Sequence, residues 1–304
     1  LGYAVNAGYI VLLLGEYRGA YNSAWVGTMV ALSSAIFISM VGFYIVKNAI
    51  SRDRQTRVGQ ILAATPVRKF SYLLAKTTSN FLVLSAIVTI QILAAILFQL
   101  LGNETAGIDP GALLSPFALI TLPALALVAA LAVLFESIRW LSGGFGNVVY
   151  FFLVNALLTL PLATGAQELD FLFISGVEKS MHEGALAAYP EFEGGFQMHA
   201  GPRDLAGDTT NLKIFVWEGI DWTAPMVALR LSWIACALLI TLLAVPFFDR
   251  FDEAAARGVK RRRRRREAAG ESEEIAPPPE RRNLAGAVIS ALTSVPLSSR
   301  FGRM

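Results

Sequence analysis

The chain has 304 residues, 55% of them hydrophobic and 16% charged, with a mean hydropathy of +0.53. About a quarter of the residues of a soluble globular domain are charged, so this composition excludes one and makes the bilayer span of about 20 residues the natural unit of counting. The net charge of +3 hides a strong asymmetry: of 26 Lys and Arg residues, seven lie between Lys47 and Lys76 and thirteen between Arg250 and Arg303, whereas the stretch from Gly165 to Thr223 carries ten acidic residues against Lys179, Arg203 and Lys213.

Taken in chain order, residues 1–23 open with an apolar run that is too short to span and starts at Leu1 instead of Met. They are expected to form the outer end of a truncated first span and an outer loop; a processed leader or an interfacial segment is the alternative reading. Five longer apolar runs follow: Ala24–Val46, Thr77–Leu101, Pro116–Phe135, Gly144–Ala163 and Ala224–Phe248. Lys and Arg near span ends favour the cytoplasm, which places 47–76, the short 136–143 connection with Arg139, and the tail 249–304 inside. The loops 102–115 and 164–223 then lie outside, and the five spans alternate without conflict. The expected fold is an all-α integral membrane protein, a polytopic helical bundle.

Between the first two complete spans, Val58, Ile61 and Leu62 fall at i, i+3 and i+4 and make one narrow apolar face, with Arg52, Arg54, Gln55, Arg57 and Gln60 around it. This predicts a short amphipathic helix over Arg52–Ala64. Pro66 disfavours helix at the residue before it, so that helix should end near Ala64; Thr65 as N-cap and Pro66 at the first helical position predict that a new helix begins there and runs into the next span. A helix-break-helix hairpin on the inner face is a natural docking element.

The outer segment 164–223 is longer than a plain connection and holds Phe192, Phe196, Phe215, Trp217 and Trp222, which predicts a small folded outer lobe. Trp217 and Trp222 also fit an interfacial aromatic belt. Arg230 is the one clear charge inside a span; it either serves a pathway or snorkels to the outer edge. Asn147 and Asn155 likewise either line a pathway or bond between helices. His182 and His199 match no metal-ligand spacing, Cys236 sits alone, and no catalytic or phosphate-binding motif occurs, so the chain is expected to bind no cofactor or metal itself. In the tail, Lys260–Arg266 is a basic run followed by acidic and proline-rich sequence that reads as a disordered linker; its place after a span favours attraction to anionic lipid, or a topology signal, over nucleic acid.

The run from Tyr44 to Lys76 then becomes specific. With Ile-Ser-Arg-Asp-Arg-Gln-Thr at 50–56, Gln-Ile-Leu-Ala-Ala-Thr-Pro-Val at 60–67 and Tyr-Leu-Leu-Ala-Lys at 72–76, it resembles type-2 ABC transporter permeases. The resemblance implies that this region is a coupling helix seated against a separate cytoplasmic ATPase subunit, which would bind ATP and Mg, and that the chain pairs with a second permease half, as a homodimer or fused. It implies coupling roles for Arg52, Asp53, Arg54, Val58, Ile61, Leu62, Thr65 and Pro66, and transport across the bacterial inner membrane, in the direction of export, without catalysis by this chain. The competing class is a membrane protein without a motor, either a secondary carrier or an anchor whose outer lobe binds something.

Overall fold

A computed structural model describes residues 17–56, 58–102, 107–192 and 213–248. The expectations for residues 1–16, for His199 and for Lys260–Arg266 lie outside the described residues. Five helical stretches are long and apolar enough to cross a membrane: 23–55, 69–97, 110–137, 144–164 and 224–243. The protein is a multi-pass helical membrane protein, which is the fold class the composition predicts.

The helix α1 (Ser23–Val46) starts at the N-cap Asn22, whose side chain accepts the Trp25 N–H at 2.8 Å. At its far end Asn48 takes a left-handed conformation (φ 82°), which asparagine tolerates better than most residues, and the chain turns into α2 (Ala49–Gln55). The helix α3 (Val58–Ala64) follows, then the long α4 (Lys69–Gly102). The third crossing is composite. The short α5 (Pro110–Pro116) leads through one π turn at Phe117–Thr121 into α6 (Leu122–Ser137). Pro123 has no N–H to give the regular ladder, and the wide turn before it carries the Leu122 N–H back to the Phe117 carbonyl. That turn places Thr121 Oγ1 3.0 Å from the Ala31 carbonyl of α1, so the irregularity is used for packing.

The helix α6 is the centre of the bundle. Alanines at 124, 129, 130 and 132 are all buried, and small side chains let neighbouring helices approach without the hydrophobic drive that water would supply. Around it stand α1, α4, α7 (Gly144–Thr164) and α9 (Ala224–Leu243). The outer helices leave Leu82, Ile90, Phe152 and Leu239 at least 60% exposed, as befits side chains facing lipid tails. Tyr150 of α7 stacks on Phe43 of α1 with ring centroids 3.7 Å apart and donates its hydroxyl to the Ser39 carbonyl at 2.6 Å.

At one end a small lobe closes over the bundle. The strand β1 (Tyr17–Gly19) pairs in parallel with β2 (Lys213–Phe215), and α8 (Ile174–Ala188) packs its Val177, Met181 and Ala185 stripe into the lobe interior. The helix α8 begins beyond Phe173, itself in the left-handed region at φ 58°. Trp25 fills the seam between lobe and α1, edge-on to both Phe215 and Trp217. Trp217 is only 2% exposed and donates its ring N–H to Ser180, so the belt reading of that residue is corrected: it is lobe core. The ladder also qualifies the all-α expectation with two three-residue strands, too short to leave a pattern in sequence.

Candidate functional site

The hairpin of α2 and α3 lies at the end of the bundle opposite the lobe, and it is two helices where one was expected. Thr56 ends α2 by placing both its N–H and its hydroxyl on the Arg52 carbonyl, at 2.9 Å each. A second correction concerns Thr65. Its hydroxyl donates to the Leu62 carbonyl at 2.7 Å and its N–H reaches the same oxygen at 3.2 Å, so Thr65 closes α3 instead of capping the next helix. Pro66 is exposed and outside any helix, and α4 starts three residues later at Lys69.

The apolar face predicted for this segment divides in two. Leu62 packs onto a cluster made by Ile50 of α2, Tyr72 and Leu73 of α4, Val133 of α6, and Ala244 and Phe248 just beyond α9. Val58 and Ile61 turn the other way, 42% and 69% exposed. One residue therefore anchors α3 to the ends of three spans, and two hydrophobic side chains are offered outward. Arg52 and Arg54 are exposed beside them.

Asp53 faces the bundle. Its Oδ2 accepts Lys76 Nζ at 2.7 Å and the Tyr72 hydroxyl at 2.7 Å, which ties α2 to the first two turns of α4. A residue absent from the sequence-based candidates completes the attachment. Glu136, on the last turn of α6 and 4% exposed, accepts the Ile50 N–H through Oε2 at 2.6 Å. A helix of seven residues leaves its first N–H groups without internal partners, and a carboxylate there accepts one of them and meets the positive end of the backbone dipoles. The only sequence clue is an acidic residue closing an otherwise uncharged span. Lys47 stands nearby and donates to the Gly143 carbonyl at 3.1 Å and to the side-chain oxygen of Asn147. Asn147 is therefore an interhelical contact, also held through its carbonyl by the Tyr44 hydroxyl at 3.1 Å. Asn155 donates to the Phe151 carbonyl of its own helix at 2.8 Å.

Arg230 is far from this end. It is fully buried between α9 and the lobe, where Nη1 donates to the Asp170 carbonyl at 2.9 Å and the guanidinium lies 4.7 Å from the Phe173 ring centroid. Snorkelling to an aqueous edge is thus corrected: the lobe covers the side chain. Among the described residues no group of three or more His, Cys, Asp or Glu could hold a metal ion, and His182 lies against the Phe192 ring.

A bundle of membrane-crossing helices with a pair of short helices bound across the ends of several spans makes this a polytopic membrane protein in which one short segment touches several spans. The chain belongs to the ABC-2 family of transporter proteins, whose model matches residues 9–172, more than half of the sequence. No curated protein and no solved structure matches it. Both the α2–α3 hairpin and Glu136 fall within the matched residues; α8, β2 and α9 fall outside them.

Proposed function

We propose that this permease works with a separate ATPase that docks on the α2–α3 hairpin from the cytoplasm and drives export across the bacterial inner membrane. The observation that carries the reading is the division of labour in α3. Val58 and Ile61 face outward while Leu62, one residue away, packs onto the ends of α4, α6 and α9. A partner pressing on the exposed pair would move α3 against that cluster, and the bonds from Asp53 to α4 and from Glu136 to α2 would carry the displacement into two spans. Coupling of this kind requires an element biased from both ends, and the hairpin is attached at one end and open at the other.

The orientation follows the basic residues: Arg52, Arg54 and Arg68 lie with the hairpin, which the preference of Lys and Arg for the cytoplasm puts inside, with the tail and its Lys260–Arg266 run near anionic lipid. ATP and Mg are bound by the ATPase, since this chain has no phosphate-binding loop of its own sequence. A second permease half, from another copy or a fused one, would complete the transporter. A carrier or a simple anchor needs no such hairpin, and family membership favours the motor-driven reading.

The test is replacement of Ile61 by Asp in the full-length protein co-expressed with the products of its adjacent genes, with any co-purifying ATPase identified by mass spectrometry. Loss of co-purification with the ATPase, while the permease still elutes as a folded particle, is expected. Undiminished co-purification and undiminished ATP hydrolysis would contradict the assignment.

A further inference from the structure

The connection between α6 and α7 lies at the same end of the bundle as the hairpin but takes no part in holding it: the cluster under α3 draws on α2, α4, α6 and the residues after α9, and on nothing from α7. The connection is a tight turn with bonds of its own. Leu141 and Ser142 both place their N–H on the Ile138 carbonyl at 3.0 Å, the Ser142 hydroxyl donates to the Arg139 carbonyl at 2.9 Å, and Lys47 Nζ reaches the Gly143 carbonyl at 3.1 Å. Leu141 is buried, and its carbonyl presses so closely on α7 that a Cβ at Gly146 would sit 1.8 Å from the oxygen. Backbone held in this way presents its side chains in fixed directions.

What the turn presents is a cation beside the most exposed tryptophan of the chain. Trp140 is 66% exposed, whereas Trp25 and Trp217 are buried. Arg139 is exposed next to it and is the only charged residue between Glu136 and Glu168. Glu136 turns its carboxylate the other way, to the Ile50 N–H, and among the described residues no acid forms an ion pair with Arg139. The Trp140 ring lies 5.8 Å from that of Phe145, on the first turn of α7. Phe145, Val148 and Phe152, at i, i+3 and i+7, are each more than half exposed and make an apolar strip that runs from Trp140 into the membrane-crossing part of α7. Tryptophan favours the boundary where an apolar body meets head groups, and a cation at that level meets their phosphates. A protein covering Trp140 would also have to cover the start of a strip at membrane depth, so the continuity of the strip favours lipid.

We propose that Arg139 and Trp140 bind the head group of an anionic glycerophospholipid whose acyl chain lies along Phe145, Val148 and Phe152. The guanidinium meets the phosphodiester oxygens with charge and a planar fork, the indole N–H adds a donor in the same polar layer, and the indole ring continues the apolar strip. On the orientation proposed above, the leaflet is the inner one. The contact itself depends neither on an ATPase nor on transport, so its test stands apart from both.

The test places the full-length chain in nanodiscs of phosphatidylglycerol and phosphatidylcholine in varied proportion, with one lipid or the other brominated on its acyl chains near the head group. Bromine quenches a tryptophan that it touches, and the share due to Trp140 is the difference between the wild-type chain and Trp140→Phe, an exposed substitution that keeps a ring. The ratio of lipid association constants at Trp140, read from the two quenching curves, is expected to favour phosphatidylglycerol by about fivefold, the preference that one arginine near the surface gives an anionic lipid. In Arg139→Gln, also an exposed substitution, that ratio should fall to near one while the quenching itself remains. Equal association of the two lipids with the wild-type chain, or a preference unchanged in Arg139→Gln, would overturn the proposal. So would a Trp140 share that neither brominated lipid quenches, the result expected if a protein or water covers the ring.

Discussion

Glu136 and Ile50 are 86 residues apart in sequence, and the carboxylate of one accepts the backbone N–H of the other at 2.6 Å. This bond joins the most buried span of the bundle to the first turn of α2, so the hairpin is held from below by the bundle's central helix. Removing the acceptor while leaving the amide buried costs about 1–3 kcal/mol by the usual penalty for an unmatched polar group. Glu136→Ala is expected to destabilise the protein by that amount and to speed hydrogen exchange at Ile50 well beyond any change in the lobe. Glu136→Gln, which keeps one oxygen, should lose less. Equal exchange rates at Ile50 in all three proteins would remove the capping role.

The Asp53–Lys76 pair offers a separate measurement. Its atoms are 2.7 Å apart, with the side chains 14% and 23% exposed, and the Tyr72 hydroxyl shares the same carboxylate oxygen. Three groups in one network should not contribute independently. A double-mutant cycle with Asp53→Asn and Lys76→Met, read by thermal unfolding, is expected to give a coupling of about 0.5–2 kcal/mol, above the value for an exposed pair because burial reduces screening. Simple additivity would mean that α2 is positioned by Glu136 and packing alone.

Ile61 and Leu62 are adjacent and chemically alike, yet the structure assigns them different work. Leu62→Asp places a charge against the cluster of Ile50, Leu73 and Phe248 and is expected to lower the unfolding temperature markedly. Ile61→Asp, at a position 69% exposed, should leave that temperature within a degree or two. Circular dichroism or intrinsic fluorescence melts of the two variants decide the matter, and a larger loss for Ile61→Asp would reverse the assignment of faces.

Gly27 tests the packing at the lobe end. A Cβ at this position would sit 2.5 Å from the Leu113 carbonyl oxygen and 2.7 Å from its Cα, both backbone atoms that move only with the whole of α5. Gly27→Ala is therefore expected to cost about 1–3 kcal/mol despite alanine's better helix propensity. Gly143→Ala, with open space around it, is the control and should be close to neutral on packing grounds.

What the sequence made legible was local. Long apolar runs reveal spans because each crossing satisfies its own backbone hydrogen bonds and must be apolar along its length. The hairpin's apolar residues were visible at helical spacing, but periodicity gave Val58, Ile61 and Leu62 one face and could not show that Leu62 turns toward the cluster and Ile61 away. The attachment made by Asp53 was not legible because its partners Tyr72 and Lys76 belong to the next helix, beyond a break that the pattern placed at Pro66 and the structure extends to Arg68. Glu136 and Arg230 illustrate the same limit over longer distances. Each is a charge at a position where sequence supplies no local partner, and each meets a backbone group, Ile50 N–H or the Asp170 carbonyl, that leaves no trace in residue identity.

The central claim is that α3 presents Ile61 to an ATPase, and site-specific photocrosslinking tests it most directly. A benzophenone amino acid at position 61, in membranes of cells expressing the full-length chain with the products of its adjacent genes, should yield a covalent adduct identified by mass spectrometry as a protein with a phosphate-binding loop. The same probe at Ile214, on the lobe and 48% exposed, should yield none. An adduct at 214 but not at 61, or lipid alone at 61, would contradict the account.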